Sequence, residues 1–167
     1  DHLVEMLLAY RMAKGEAAEI LGADLVESDF KSRLWRVDHV AGEQYGTISE
    51  STRAVIGGFV EGVNHYIDIH RQTLPGWVRP VRGTDIVAST RWLALLFAEA
   101  SGRTELKTKG IQPSLSSSVG SNQVVIAPER SQDGTGLAVS NLHLPWHMPF
   151  KMYEAHLKSA EGLNVSG

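Results

Sequence analysis

The sequence has 167 residues, of which 43% are hydrophobic and 21% are charged, and its formal net charge is −3 at pH 7. These values are typical of one globular domain with a real core, and no basic run marks a nucleic acid or an anionic membrane as a partner. The absence of cysteine excludes disulfide bonds, thiolate metal sites and a cysteine nucleophile. No apolar run approaches the roughly 18–20 residues of a membrane span. The opening residues Asp1, His2 and Glu5 do not resemble a signal peptide, and the chain begins directly in helix-like sequence, which suggests a trimmed start.

The first hundred residues have the apolar spacing of amphipathic helices. Four helices are predicted, over residues 3–22, 28–40, 49–67 and 84–102. Ser49 to Ser51 can cap the third helix, and Thr84 or Asp85 can open the fourth. The third helix also carries Glu61, Asn64 and His65, which we interpret as its solvated side.

After Gly102 the composition changes to lysine, glycine, proline and serine, which predicts an exposed connector that reaches Gly120. Beyond it the apolar period becomes two, and strands are predicted over residues 124–127, 137–139, 150–157 and 163–165, with a hairpin turn at 133–136. Helices followed by consecutive antiparallel strands predict an α+β fold. Three or four strands form an incomplete sheet, so we interpret the sequence as a piece of a larger protein.

The best candidate for a catalytic residue lies where the connector meets the first strand. Gly120 precedes Ser121 there, and a small residue before a serine is a possible self-cleavage point. Cleavage would leave Ser121 at a new amino terminus, where its hydroxyl attacks an acyl carbonyl and its own α-amine acts as the base. An α-amine with an ordinary pKa of about 7.7–8 suits that role near neutral pH. The alternative is that Ser121 belongs to an ordinary serine-rich loop.

His143 follows Ser121 by twenty-two residues, in Ser-Asn-Leu-His-Leu-Pro-Trp. It becomes a catalytic candidate if the hairpin brings it beside Ser121, which antiparallel pairing allows. His143 and His147 are four apart, as zinc ligands on a helix would be, but Pro145 between them argues against a helix and no acidic residue lies between them. Trp146 can line an apolar substrate pocket or pack in a core.

These residues carry a resemblance to a known family. Its strongest motifs are Gly120-Ser121-Asn122, Ala127-Pro128-Glu129-Arg130-Ser131, Asp133-Gly134 and Asn141-Leu142-His143-Leu144-Pro145-Trp146, with weaker matches in the helical half, such as Gly57 to Asn64. The chain resembles the penicillin acylase family of N-terminal nucleophile hydrolases, above all its acyl-homoserine lactone acylases and aculeacin-type acylases. It departs from that family at Leu142, where many members have proline, and at Gln123, where an apolar or aromatic residue is common.

The resemblance implies a four-layer αββα fold, self-cleaved between Gly120 and Ser121. Residues 1–110 would form a helical α-subunit region, 111–120 the remnant of a spacer, and 121–167 the first strands of the β-subunit. Ser121 would be nucleophile and base, His143 would hold the nucleophile, and Leu144 and Trp146 would line the acyl pocket. Partners would be the N-acyl substrate and the remaining β-subunit, with no nucleic acid and no membrane span.

The resemblance also implies a periplasmic or secreted protein that needs no cofactor. Some relatives bind calcium, but its ligands cannot be placed in this sequence. The family's second oxyanion donor would lie further along the β-subunit, and such a donor supplies about 3–4 kcal/mol of transition-state stabilisation. This segment alone is therefore expected to be inactive.

The predicted function is that of an amide hydrolase that removes an acyl chain from a small N-acylated molecule. Such a molecule could be an acyl-homoserine lactone, a lipopeptide or a β-lactam. An acyltransferase that uses the same serine is the alternative among enzymes. A non-catalytic helical interaction domain is the alternative of another class, and a metal-dependent hydrolase is a third.

Overall fold

The structure is a computed structural model that describes residues 2–110, 120–144 and 154–166. Its described helices are α1 (Leu3–Lys14), α2 (Ala18–Leu21), α3 (Val26–Leu34), α4 (Val37–Gln44), α5 (Glu50–Ile69) and α6 (Gly83–Thr108). The described strands are β1 (Gly120–Ile126), β2 (Leu137–His143), β3 (His156–Lys158) and β4 (Asn164–Ser166). Helices precede antiparallel strands along the chain, which confirms the predicted α+β class. None of the described helices is long and apolar enough to cross a membrane.

Two compact units divide the chain, one over residues 1–113 and the other over residues 114–167. Two apolar clusters hold the helical unit together, and both depend on α1 for part of their buried surface. One contains Ala13, Val37, Ala41, Ala88 and Trp92, and the other contains Leu7, Ile67, Val78 and Val81. Because α1 contributes to both, it joins the α4–α6 side of the unit to the α5 side.

The first predicted helix is wrong in its length, because α1 ends at Gly15 and Gly22 instead ends α2. Gly15 has a left-handed φ of 71°, and its N–H donates back to the Met12 carbonyl at 3.1 Å. A Cβ at this position would lie 2.7 Å from the Asp29 carbonyl oxygen. Glycine is therefore required both by the backbone conformation and by the close approach of α3.

The second predicted helix is also wrong as a single element, because the chain turns at Trp35 and Arg36 between α3 and α4. Arg36 has a φ of 52°, which ends the regular helix. The turn lets Val37 and Ala41 reach the cluster around Trp92, where both are almost fully buried. Tertiary burial therefore overrides the local helical pattern.

The third predicted helix is confirmed by α5, whose cap Ser49 accepts the N–H of Thr52 at 3.2 Å. The fourth is confirmed by α6, which begins at Gly83, one residue before Thr84, and continues past the predicted end at Gly102 to Thr108. Two ion pairs with helical spacing stabilise this extension. They join Glu99 to Arg103 and Glu105 to Lys109.

In the second unit, β1 pairs with β2 and β3 pairs with β4, both antiparallel. β1 and β2 extend further than predicted, and together they reach Gly120 and His143. The predicted strand over 150–157 is described only in its last part, where β3 begins at His156 and residues 154–155 are not strand. Residues 150–153 lie outside the described ranges.

Candidate active site

The register of β1 and β2 places the candidate nucleophile and the candidate histidine next to each other along the backbone. Gly120 pairs with His143, and Ser121 pairs with Leu142. Cα atoms of such partners lie about 4.5–5.5 Å apart. The peptide nitrogen of Ser121, which cleavage would turn into an amine, therefore lies between the Gly120–His143 pair and the Ser121–Leu142 pair.

The side chains of Ser121 and His143 project from opposite faces of this hairpin. Paired residues share a face and successive residues alternate, so Ser121 shares a face with Leu142. His143 lies on the other face together with the pair Asn122 and Asn141. The hairpin thus brings the backbones of the two predicted catalytic residues close together. Their side chains lie on opposite faces, and the imidazole contacts other side chains.

Those contacts are made by two asparagines that the sequence analysis did not single out as site residues. The Nε2 atom of His143 lies 3.0 Å from Nδ2 of Asn141 and 3.4 Å from Nδ2 of Asn122. In the described part of the chain these are the imidazole's hydrogen-bond partners. The period of two in β2 places residues 141 and 143 on one face, and that signal could have revealed Asn141 in advance.

The predicted substrate-binding residues are described only in part. Leu144 is half-buried directly after β2, whereas Ser121 and His143 are exposed. Trp146 and His147 lie outside the described residues. The catalytic, autocleavage and substrate-binding assignments therefore stay predictions, as does the α-subunit, spacer and β-subunit division.

The predicted turn between β1 and β2 is held by Asp133. Its carboxylate accepts hydrogen bonds from the Ser131 hydroxyl, and from the N–H and hydroxyl of Thr135 at 3.1 and 2.7 Å. These bonds, with that from Ser131 contributing most, lower the pKa of Asp133 from 3.8 to about 2. Gly134 has the left-handed φ of 72°. The segment is therefore a turn within the connection between β1 and β2, as predicted.

A metal site can be assessed only for part of the chain. Within residues 2–110, 120–144 and 154–166, no group of three or more histidine, aspartate or glutamate side chains could hold an ion. The donors near His143 are amides, which are weak ligands for the metals that histidine binds.

The helical unit contains a buried charged cluster that the sequence analysis recognised only as a helix start. Nζ of Lys14 lies 3.2 Å from Oδ1 of Asp85, and both side chains are largely buried. The Arg82 N–H donates to the other Asp85 oxygen at 2.8 Å, in a capping box that begins α6. A cavity of about 370 Å³ adjoins the cluster. Burial, and then the charge of Asp85, raise the pKa of Tyr10 beside it to about 12.

Comparison with known proteins places the whole chain in one family. The penicillin amidase family model matches residues 1–167. The acyl-homoserine lactone acylase PvdQ of Pseudomonas putida is 28% identical over 144 residues, which cover 70% of this chain and 18% of that protein. The protein of the same name from Pseudomonas fluorescens Pf-5 is 34% identical over 136 residues, covering 66% of this chain and 18% of the relative. The aculeacin-A acylase of Actinoplanes utahensis is 24% identical over 148 residues, covering 71% and 19%.

The family match covers both the helical unit and the β1–β2 hairpin, so both belong to one α+β protein class. The chain belongs to the penicillin amidase family. It spans less than a fifth of the length of the curated relatives it matches.

Proposed function

We propose that this chain is part of an acylase that hydrolyses an amide bond with Ser121 as an N-terminal nucleophile. The observation that carries the proposal is the Gly120–Ser121 bond at the start of β1, in register with His143, in a chain of the penicillin amidase family. A strand start is a suitable place for such a group because the ladder with β2 restrains the backbone on one side.

Maturation must come first, because Ser121 is bonded to Gly120 in this chain. Its nitrogen is then an amide, which has no basic lone pair. Hydrolysis of the Gly120–Ser121 bond adds one water molecule, leaves a carboxylate on Gly120 and frees the Ser121 amine. The proposed self-cleavage therefore creates the catalytic base.

In the mature protein the Ser121 amine accepts the hydroxyl proton as Oγ attacks the substrate's amide carbonyl. The C–N bond then breaks, and the proton passes from the ammonium to the leaving amine. An ester of Ser121 remains. Water attacks that ester with the same amine as base, and the carboxylic acid is released as Oγ regains a proton. His143 holds the amino-terminal residue, and Leu144 and Trp146 line the acyl pocket.

The names of two relatives, which specify acyl-homoserine lactones and aculeacin A, support a proposal for the substrate class. We propose that this chain's substrate is likewise a small amine with an acyl chain, such as a lactone, a lipopeptide or a β-lactam. A periplasmic or secreted location suits that role. An acyltransferase would use the same ester of Ser121 and deliver it to an amine in place of water. Product analysis in the presence of hydroxylamine separates the two reactions, because a transferase forms mainly the hydroxamate.

Replacement of Ser121 by alanine in the full-length protein tests the nucleophile. Ser121→Ala should leave the chain uncut and lower turnover of an N-acyl substrate by more than about 10³-fold, because both steps need Oγ. Ser118→Ala is the matched control in the preceding serine run and should mature and turn over normally. Retained cleavage and turnover in Ser121→Ala would show that another residue is the nucleophile.

A further inference from the structure

We propose that Asn122 and Asn141 are positioning residues that orient the His143 ring and place the proton of the neutral imidazole on Nδ1. The inference rests on the proposed function and extends it to two residues with no role assigned so far. Both amide nitrogens face Nε2 of His143, at 3.4 Å from Asn122 and 3.0 Å from Asn141.

The donor chemistry of an amide dictates this tautomer. The Nδ2 group of asparagine has two N–H donors and no acceptor, so Nε2 must supply the lone pair in both contacts. A neutral imidazole has one donor and one acceptor nitrogen, and its proton is consequently on Nδ1. A neutral ring with its proton on Nε2 would point an N–H group at the two amide donors, and both asparagine side chains would have to turn away.

The strands around His143 contain nothing that would oppose this arrangement. β1 and β2 carry no aspartate, glutamate, lysine or arginine, and His143 is their one titratable ring. Residue 120, the partner of His143 in the register, is a glycine. Since glycine has no side chain, this partner adds no side-chain donor or acceptor beside the ring.

The orientation of the ring matters because of the charge that develops on Ser121. The amine of Ser121 becomes an ammonium each time it removes a proton, and the register places that nitrogen beside the Gly120–His143 pair. Hydrogen bonds that fix a neighbouring polar side chain keep its dipole in one orientation while that charge develops. The two asparagines therefore support the base through His143, and they need not touch the substrate.

NMR of the full-length protein labelled with ¹⁵N-histidine measures the tautomer of the His143 ring directly. The His143 ring signals are assigned by their loss in His143→Gln. We expect the neutral ring to be protonated on Nδ1 and unprotonated on Nε2. Asn141→Leu, which removes the shorter contact without adding a donor, should give a mixture of tautomers. The same change should lower kcat about tenfold, the size expected for one neutral hydrogen bond, while Asn122→Leu should have a smaller effect.

Asn141→Asp supplies the opposite chemistry in nearly the same shape. A carboxylate can only accept, so it should move the ring proton to Nε2 and lower kcat. Ser140→Ala is the control on the neighbouring position of β2 and should leave both readouts unchanged. If Asn141 had only a structural role, its replacement would change the stability of the protein and leave the His143 tautomer as in the wild type.

The outcomes separate this proposal from the proposed function. A protonated Nε2 in the wild-type protein, or a ring unchanged by Asn141→Leu and Asn141→Asp, overturns the positioning role even if Ser121 proves to be the nucleophile. Retained turnover in Ser121→Ala would show that Ser121 is not the nucleophile, and the His143 ring would then have no role in the proposed reaction. The tautomer measurement needs no turnover, so its result does not depend on whether Ser121→Ala loses or retains activity.

Discussion

Asp133 shows how a single exposed carboxylate can organise a strand connection. Three donors from Ser131 and Thr135 converge on one of its oxygens, and they do so within the turn itself. Such local bonding is what aspartate favours in turns, because its short side chain reaches the backbone two residues further on. The register that places Ser121 opposite Leu142 therefore depends on a turn far from the candidate nucleophile along the strands.

The pKa of Asp133 gives this turn a measurable pH dependence. Because its folded pKa is lowered to about 2, the carboxylate's contribution to hairpin stability is complete above about pH 4 and is lost as the pH falls through 2. Ser131→Ala removes the largest cause, and the pKa should then rise toward 3.8. The carboxyl carbon resonance of Asp133, followed by NMR during an acid titration, measures it. Ser140→Ala should leave the titration unaltered, and an unaltered titration in Ser131→Ala would contradict the assigned cause.

At the scale of elements, Asn64 of α5 anchors the end of the segment that leads to α6. Asn64 donates its Nδ2 to the Val81 carbonyl at 2.9 Å and accepts the Val81 N–H through Oδ1 at 2.7 Å. The interpretation of Asn64 as part of the solvated side of its helix is wrong, because it is half-buried against this segment. The adjacent His65 and the nearby Glu61 are exposed, as expected.

Removal of this amide should destabilise the helical unit. Asn64→Ala leaves the N–H and carbonyl of buried Val81 without their partner, which costs about 1–3 kcal/mol. His65→Ala is the matched control on the next position of α5 and should cost less than about 0.5 kcal/mol. The midpoints of urea unfolding, monitored by tryptophan fluorescence, compare the two variants. Equal midpoints would show that Asn64 does not anchor the segment.

At the scale of the whole molecule, the proposed cleavage of the Gly120–Ser121 bond would divide the chain into two products. The unit boundary falls at residues 113–114, close to the proposed cleavage point. Cleavage before Ser121 would leave the helical unit intact and would separate residues 114–120, which include the first residue of β1, from the rest of the second unit.

Intact-mass measurement of the purified full-length protein tests this directly. We expect one product that begins at Ser121, and a second product whose carboxyl end lies at or before Gly120. Ser121→Ala provides the uncut reference mass. A wild-type chain that stays uncut under conditions of full turnover would contradict the amine as base, since the Ser121 nitrogen would then still be an amide.

The sequence by itself determined the α+β class, the helical start of α5, the hairpin turn at Asp133 and the candidate nucleophile. These follow from apolar periodicity, capping and turn residues, and from motifs that are each contained within a few residues. The resemblance to the penicillin acylase family, now confirmed by the match over the whole chain, was also carried by such short motifs.

Only the tertiary structure decided where helices break and which partners polar side chains find. The breaks at Gly15 and Arg36 serve contacts with α3 and with the Trp92 cluster, which lie far away in the sequence. In the same way, Asn64 bonds to Val81, and His143 takes Asn122 from the opposite strand as a partner. The physical reason is that burial and pairing between distant residues contribute more free energy than the local preferences from which a sequence is interpreted.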